Sequence, residues 1–229
     1  MNSAWFERPS LAGRYVRLEP LSTDHAEGLF EALKDPSVWT WLSKKQPADA
    51  AGMRAIIEGL LAKQEQGDSV ALAQIDVATG EVAGSTSYYE IEPTDRGIAI
   101  GSTWLGSRFQ RTGVNTEAKL LLLGRAFDDL GARRVTWHTD HRNERSQLAI
   151  ERLGGQCEGV LRCHRTRPDG TMRDTRRLLD ARRRVAGRPG RAARTAGTGR
   201  GGRGVCGDCG RRGQVLIDWW RAYSRSTVI

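Results

Sequence analysis

Apolar and charged residues alternate over residues 14–20, where Val16 and Leu18 sit between Arg17 and its charged neighbours, the period of a half-buried strand. The period then lengthens. Ser22, Thr23 and Asp24 offer N-cap side chains, and Ala26, Leu29, Phe30 and Leu33 recur at helical spacing until Pro36 ends the pattern. A second helix is predicted from near Pro47 to Gln66, with Met53, Ile56, Ile57, Leu60 and Leu61 on one face and Gly67 as its stop. Three strands are predicted next, at 69–77, 81–92 and 97–105. The turns Ala78-Thr79-Gly80 and Pro93-Thr94-Asp95 separate them, so an antiparallel meander is the simplest pairing.

Beyond residue 105 the order changes. A helix rich in Leu and Ala is predicted over 116–130 and closed by Gly131. A strand at 133–139, a helix at 143–153 stopped by Gly154-Gly155, and a strand at 157–167 follow. Leading strands, then strand–helix–strand–helix–strand, describe an α/β (α+β) sheet with a crossover helix on one face. From 183 to 212 Gly and Arg dominate and no periodicity survives, so this stretch is predicted to be disordered. The chain therefore divides into a domain at 1–182 and an Arg/Gly-rich tail at 183–229.

Charge changes the picture only once it is located. The chain carries +9 overall, but 14 Arg and 3 Asp lie after Thr175, leaving 22 basic and 24 acidic residues before it. The domain is near neutral, and nucleic acid is not its expected partner. No apolar run reaches 18 residues and the N-terminus lacks a signal-peptide layout, so no membrane span is expected and the expected location is cytoplasmic. Cys157, Cys163, Cys206 and Cys209 do not form a disulfide framework, and no ligand set at metal spacing accompanies them.

The most informative segment runs from Trp104 to Lys119. A strand ends near Leu105, a turn with Arg108, Gln110, Arg111 and Gly113 follows, and a long helix starts. Backbone N–H groups at a helix N-terminus can bind a pyrophosphate there, with Gly113 allowing close approach and Arg108 and Arg111 adding charge-assisted contacts. The loop is neither a Walker A motif nor a dinucleotide fingerprint.

Gln110-Arg111-Thr112-Gly113-Val114-Asn115 resembles the Q/R-x-x-G-x-G/A signature of the GNAT superfamily of N-acetyltransferases, and Glu117-Ala118-Lys119 continues the resemblance. Leu130-Gly131 with Arg134-Val135 looks like that superfamily's helix end and next strand, and Asn143 to Ser146 with Ala149 to Gly154 like its next helix. The Asn-x-x-Ser form and Arg173-Asp174-Thr175 are similar to the subset resembling the RimJ/RimL transferases. The resemblance covers residues 13–175 and implies a mixed, mostly antiparallel central sheet, flanked by helices and splayed at the cofactor site. Asn115 stands where the signature has Gly or Ala, and is expected to cap the helix.

The resemblance implies acetyl-coenzyme A as co-substrate, an amine acceptor and no metal, with a homodimer left open. Backbone N–H groups of Trp104 and Leu105 are then expected at the thioester carbonyl, and Arg108, Gln110 to Asn115 and Thr116 around the phosphates. Asn143 would bind the pantetheine arm or order water, and Ser146 would donate a proton to sulfur. Two departures bear on catalysis: Ile150 stands where the superfamily has a tyrosine acid, and Ala99 where relatives carry a glutamate base. Glu90 or Glu92 could substitute through water. Trp39, Trp41, Tyr88 and Tyr89 are candidate walls of the acceptor pocket, while His138 and His141 read as surface or packing residues. For the tail, a codon choice for residues 176–190 exists whose shifted frame reads Val-Val-Tyr-Ser and then an acidic, Trp-Pro-containing stretch, the continuation such relatives have. The tail therefore reads as a frameshift product, ahead of a nucleic-acid arm or a zinc module at Cys206 and Cys209, and Leu178 and Leu179 are expected to extend the sheet in place of that strand.

Overall fold

The computed structural model describes residues 3–181; the tail at 183–229 and the readings made for it lie outside those residues. Eight strands form one sheet: β1 (Leu11–Ala12), β2 (Val16–Pro20), β3 (Ser69–Asp76), β4 (Val82–Glu92), β5 (Gly97–Leu105), β6 (Arg134–Asp140), β7 (Gln156–Thr166) and β8 (Met172–Ala181). Their order across the sheet is β1-β2-β3-β4-β5-β6-β8-β7. Every neighbouring pair is antiparallel except β5 and β6, because α3 (Gly113–Gly124) carries the chain from one to the other. The mixed α/β sheet and the β3-β4-β5 meander expected from the sequence are both present.

The helices take opposite faces of this sheet. Tyr88 on β4 sends its hydroxyl to the carbonyl of Leu122 on α3 at 2.6 Å, which fixes α3 on that face. Trp104 lies opposite Ser85 and so on the other face, where its ring meets Trp39 at 5.6 Å. Trp39 in turn donates its indole N–H to Leu33 O at 2.8 Å, at the end of α1 (Ala26–Ala32). Next to α1 packs α2 (Ala50–Glu65), whose N-cap Asp49 accepts the Gly52 N–H at 2.7 Å. Apolar side chains from both faces, Leu18, Leu29, Ile57, Leu72, Ile100 and Leu122 among them, are sealed from solvent.

Both ends of α3 differ from the sequence reading. α3 begins at Gly113 rather than near 116, because the Thr112 hydroxyl accepts the Val114 N–H and closes the turn early. Its far end widens into a π-turn over Arg125–Asp129, with the Leu130 N–H reaching Arg125 O at 2.9 Å before Gly131 reverses the chain at φ 67°. Leu178 is fully buried in β8, which lies between β6 and β7, so the segment after Thr175 does extend the sheet.

Candidate functional site

The site is built where the parallel pair comes apart. β5 and β6 are in register at Gly97↔Arg134, Ile98↔Val135 and Ala99↔Thr136 and pair no further. On one side, Ser102 at φ 47° makes a bulge, so that Ser102 and Thr103 together oppose Thr86 and β5 bends toward β4. On the other, β6 stays paired with β8 as far as Asp140↔Thr175. A gap therefore opens between the second halves of β5 and β6.

Backbone polarity along β5 assigns its lining. Gln74 reaches Trp104 O from β3 at 3.5 Å, and the Gly106 N–H is bonded to Ala83 O at 2.9 Å, so the peptide groups of Trp104 face β4. Leu105 faces the other way: its carbonyl accepts the Gln110 amide at 3.1 Å, and its N–H points into the gap by strand alternation. Of the two donors expected there, Leu105 is the one that faces the opening. Trp104 is corrected to a packing residue, 5% exposed.

A 3-10 turn, Ser107–Phe109, leads into the loop. Arg111 takes φ 62° and is exposed, and the Thr112 hydroxyl donates to Phe109 O at 2.6 Å. Arg108 is ion-paired with Glu81 at 2.7 Å and stacked over Phe109, so its charge is partly engaged. Gly113 sits under an aromatic ring: a Cβ there would lie 2.8 Å from Tyr15, which gives the glycine a packing reason alongside the expected approach of phosphate. The helix cap is Thr112 and not Asn115, whose Oδ1 is buried without a hydrogen bond among the described residues. Val114 is buried and Thr116 half-buried in the same turn.

One buried carboxylate holds this turn to the sheet. Glu117 accepts the backbone N–H groups of Arg14, Tyr15 and Val16 at 2.9, 2.5 and 2.9 Å, pinning the start of β2 against α3. The third side of the gap is the N-terminus of α4 (Glu144–Arg152). Asn143 is its cap and accepts the Ser146 N–H at 3.1 Å, while the Ser146 hydroxyl has no partner among the described residues. Arg145 bonds Gln110 at 2.6 Å and so ties α4 to the loop. Leu105, Gln110, Thr112, Gly113, Asn143 and Ser146 thus gather at one end of the opening.

Acceptor-side residues fall differently from the sequence reading. Tyr88 is 1% exposed and bonded beneath α3, on the face away from Trp104, so it is corrected to a core residue. Trp39 is likewise a core residue whose indole N–H is spent on α1, although its edge lines a surface pocket with Lys44 and Lys45. Trp41 does line a pocket, with Asp140, Arg165 and Arg173. Tyr89, one residue along β4, is the aromatic that faces the gap: its ring lies against Gly101 and 5.8 Å from His138. Burial raises the Tyr89 phenol far above its ordinary range.

His138 is not a surface residue. It occupies β6 just past the last β5–β6 pair, its side chain is 7% exposed, and neither ring nitrogen has a hydrogen bond among the described residues. Glu90 comes to 3.5 Å from its Nδ1, carried there by φ 48° in a bulge of β4. Desolvation first, and then the charges of Arg177, Arg165, His164 and Arg173, push the imidazole down to about 4, so it is neutral at pH 7. Its place in a strand of alternating polarity gave no sign of this, because β8 and β7 fold back over it from later in the chain.

Lys119 also escaped the sequence reading. It lies wholly inside, donating to Thr86 at 2.7 Å and Thr103 at 2.5 Å across the β5 bulge, and desolvation lowers its amine to about 7.

Residues 16–156 match the family model described as an acetyltransferase (GNAT) domain. Among solved structures, a GCN5-related N-acetyltransferase from Brucella melitensis is 36% identical over 76% of this chain and 79% of its own, with a TM-score of 0.71. A protein from T. thermophilus assigned as an acetyltransferase is 39% identical over 76% of this chain and 90% of its own, with a TM-score of 0.69. The microcin C7 self-immunity acetyltransferase MccE, solved with acetyl-CoA and AMP, shares the fold at 22% identity, covering 74% of this chain and 93% of its own at a TM-score of 0.63. No protein of curated function matches the chain in sequence.

Proposed function

The chain belongs to the GNAT acetyltransferase family, and on that premise we propose that it moves an acetyl group from acetyl-coenzyme A to a primary amine, a protein N-terminus or a small molecule, by direct attack. The observation that carries this reading is the parted β5–β6 pair, with the Leu105 N–H facing the gap and the loop to α3 at its end. The residues present suit that co-substrate. A free backbone donor meets the thioester carbonyl, the first turn of α3 and exposed Arg111 take the pyrophosphate, and Asn143 flanks the arm.

The reaction joins an amine nitrogen to the acetyl carbon and breaks the carbon–sulfur bond. Leu105 N–H stabilises the negative charge that develops on the carbonyl oxygen. Ser146, with its free hydroxyl, donates the proton that the departing thiolate needs. Glu90, exposed at the rim beside His138, takes the amine proton through water. A low-pKa amine, such as an α-amine near ~8, needs least help in losing that proton.

The Asn143-x-x-Ser146 and Arg173-Asp174-Thr175 residues support placement in the RimJ/RimL-like subset. Free, exposed Cys157 and Cys163 are compatible with work in the reducing cytoplasm. A second reading, a coenzyme A-binding protein with little turnover, is favoured by apolar Ala99 and Ile150, both buried at positions where relatives carry acid or base groups. Stabilisation by acetyl-coenzyme A in a thermal shift, followed by thiol release over a panel of amines, separates the two: stabilisation without release with any amine supports the second.

A further inference from the structure

Arg165, Arg167 and Arg173 line one pocket on the acceptor side of the gap, and of the three only Arg167 is hydrogen-bonded to Asp140. In the β7–β8 hairpin, Arg165 and Arg173 are direct cross-strand partners. Like charges facing one another across an antiparallel pair are destabilising, so the arrangement calls for an anion between or beside them. The hairpin's own Asp174 is turned to the Cys163 N–H at 2.8 Å. Arg165 is exposed and has no hydrogen-bond partner among the described residues, and the Nε of half-buried Arg173 is shut from solvent with none. Four residues along β8, Arg177 faces His138 across the strands and its Nε is buried and unpartnered too.

The nearby carboxylates are already occupied. Against the opposing pull of its own burial, Asp140 is held below the usual carboxylate range by a two-pronged contact with Arg167, Nε to Oδ2 at 2.7 Å and Nη2 to Oδ1 at 3.1 Å. Asp169 is turned into its own hairpin turn by Thr171 at 2.7 Å. Glu90 lies 3.5 Å from His138. The pocket that Arg165 and Arg173 line with Trp41 and Asp140 is a cleft of about 20 Å³, and it shares Thr40, Arg167 and Pro168 with a second pocket of about 260 Å³ edged by Lys44 and Lys45. An isolated buried guanidinium nitrogen is costly unless a ligand meets it.

Resting on the transferase reading above, we propose that this pocket recognises an anionic group on the acceptor, so that the preferred substrates are amines bearing a carboxylate or a phosphate. Arg165 and Arg173 grip the anion and set the amine at the gap beside Tyr89 and His138.

The full chain is tested with matched acceptors, β-alanine against β-alaninamide and O-phosphoethanolamine against ethanolamine, followed by thiol release. The charged member of at least one pair should have a kcat/KM about tenfold or more above its neutral counterpart. Arg165→Gln, at an exposed edge position, and Arg173→Gln should each bring that ratio to about one through a lower kcat/KM for the charged amine. The pair that shows the preference tells carboxylate from phosphate. In parallel, inorganic phosphate is titrated at constant ionic strength without co-substrate. Weaker phosphate binding in both variants upholds the anion site even if no amine is acetylated, in which event the transferase reading alone fails. Equal use of charged and neutral acceptors, or phosphate binding unchanged in both variants, overturns the proposal.

Discussion

Lys119 on α3 donates to Thr103 across the β5 bulge at 2.5 Å, and the bond joins the helix behind the loop to the strand that bends away from the gap. A neutral amine has two N–H groups, which matches the two hydroxyls of Thr86 and Thr103 that it meets. The folded amine titrates at about 7 because burial disfavours its charge, against an unfolded value of 10.5. Between those values the unfolded chain binds the extra proton, so stability should rise with pH from about 7 to about 10.5. Each unit of difference contributes ~1.4 kcal/mol in the limit. Lys119→Met should flatten that rise and make the protein more stable below pH 7, because the Thr86 and Thr103 hydroxyls already lie 3.1 Å apart and can satisfy each other. Urea titrations at pH 6 and pH 9.5 check it. An unchanged slope in the variant would mean that Lys119 is hydrated and charged throughout.

Gly113 serves two requirements that a pair of substitutions can separate. Gly113→Ala sets a methyl 2.8 Å from the Tyr15 ring and should weaken acetyl-coenzyme A stabilisation by pushing the first turn of α3 aside. Tyr15→Ala removes the obstruction. If binding returns in the Gly113→Ala/Tyr15→Ala double variant, the glycine is there for the ring; if it stays lost, the approach of the pyrophosphate itself needs the bare backbone. Isothermal titration of the two single variants and the double reads the answer.

What the sequence disclosed was whatever depends on neighbours a few residues apart. Helical spacing around Leu29 and Ile57, the alternation at Val16 and Leu18, and the order Gln110 to Asn115 followed by Asn143 and Ser146 all survive in the fold. What stayed hidden depends on partners far along the chain. Adjacent strand residues face opposite ways, but the alternation alone does not say which of Tyr88 and Tyr89 meets α3, and the core took Tyr88. Trp104 and Leu105 were indistinguishable until the β4 partner of each was known. The bulge at Ser102, which opens the gap, puts its positive φ on the serine and not on the glycine before it. Arg165 and Arg173 became a pair only through the hairpin register.

Glu117 tests how much the loop depends on its anchor. Its carboxylate takes three backbone N–H groups from residues 14–16, and a charged acceptor at buried donors is worth more than a neutral one. Glu117→Gln keeps the shape but removes the charge and replaces an acceptor oxygen with a donor NH₂ facing a backbone donor. A loss of ~2–4 kcal/mol is expected, with acetyl-coenzyme A bound more weakly because the α3 start is no longer held to β2. Chemical denaturation measures the first and calorimetry the second. A loss below ~0.5 kcal/mol would show that water replaces the carboxylate without consequence.

Ser146 and Asn143 share one turn of α4 yet should fail in different ways. The Asn143 side chain accepts the Ser146 backbone N–H, so the cap does not use the serine hydroxyl, and Ser146→Ala leaves it intact. The hydroxyl is needed only when the carbon–sulfur bond breaks, so its removal should act on the transition state: kcat lower by roughly 10–100-fold, with acetyl-coenzyme A affinity nearly unchanged. Asn143→Ala removes the cap, at about 1 kcal/mol of stability, and frays the turn that holds Arg145 against Gln110. Its effect should therefore appear in co-substrate affinity and in melting temperature as well as in turnover. Measuring kcat, KM and Tm for both variants distinguishes the two roles. If Ser146→Ala retains full turnover from pH 6 to pH 9, the thiolate takes its proton from water, and Ser146 is a packing residue on the helix.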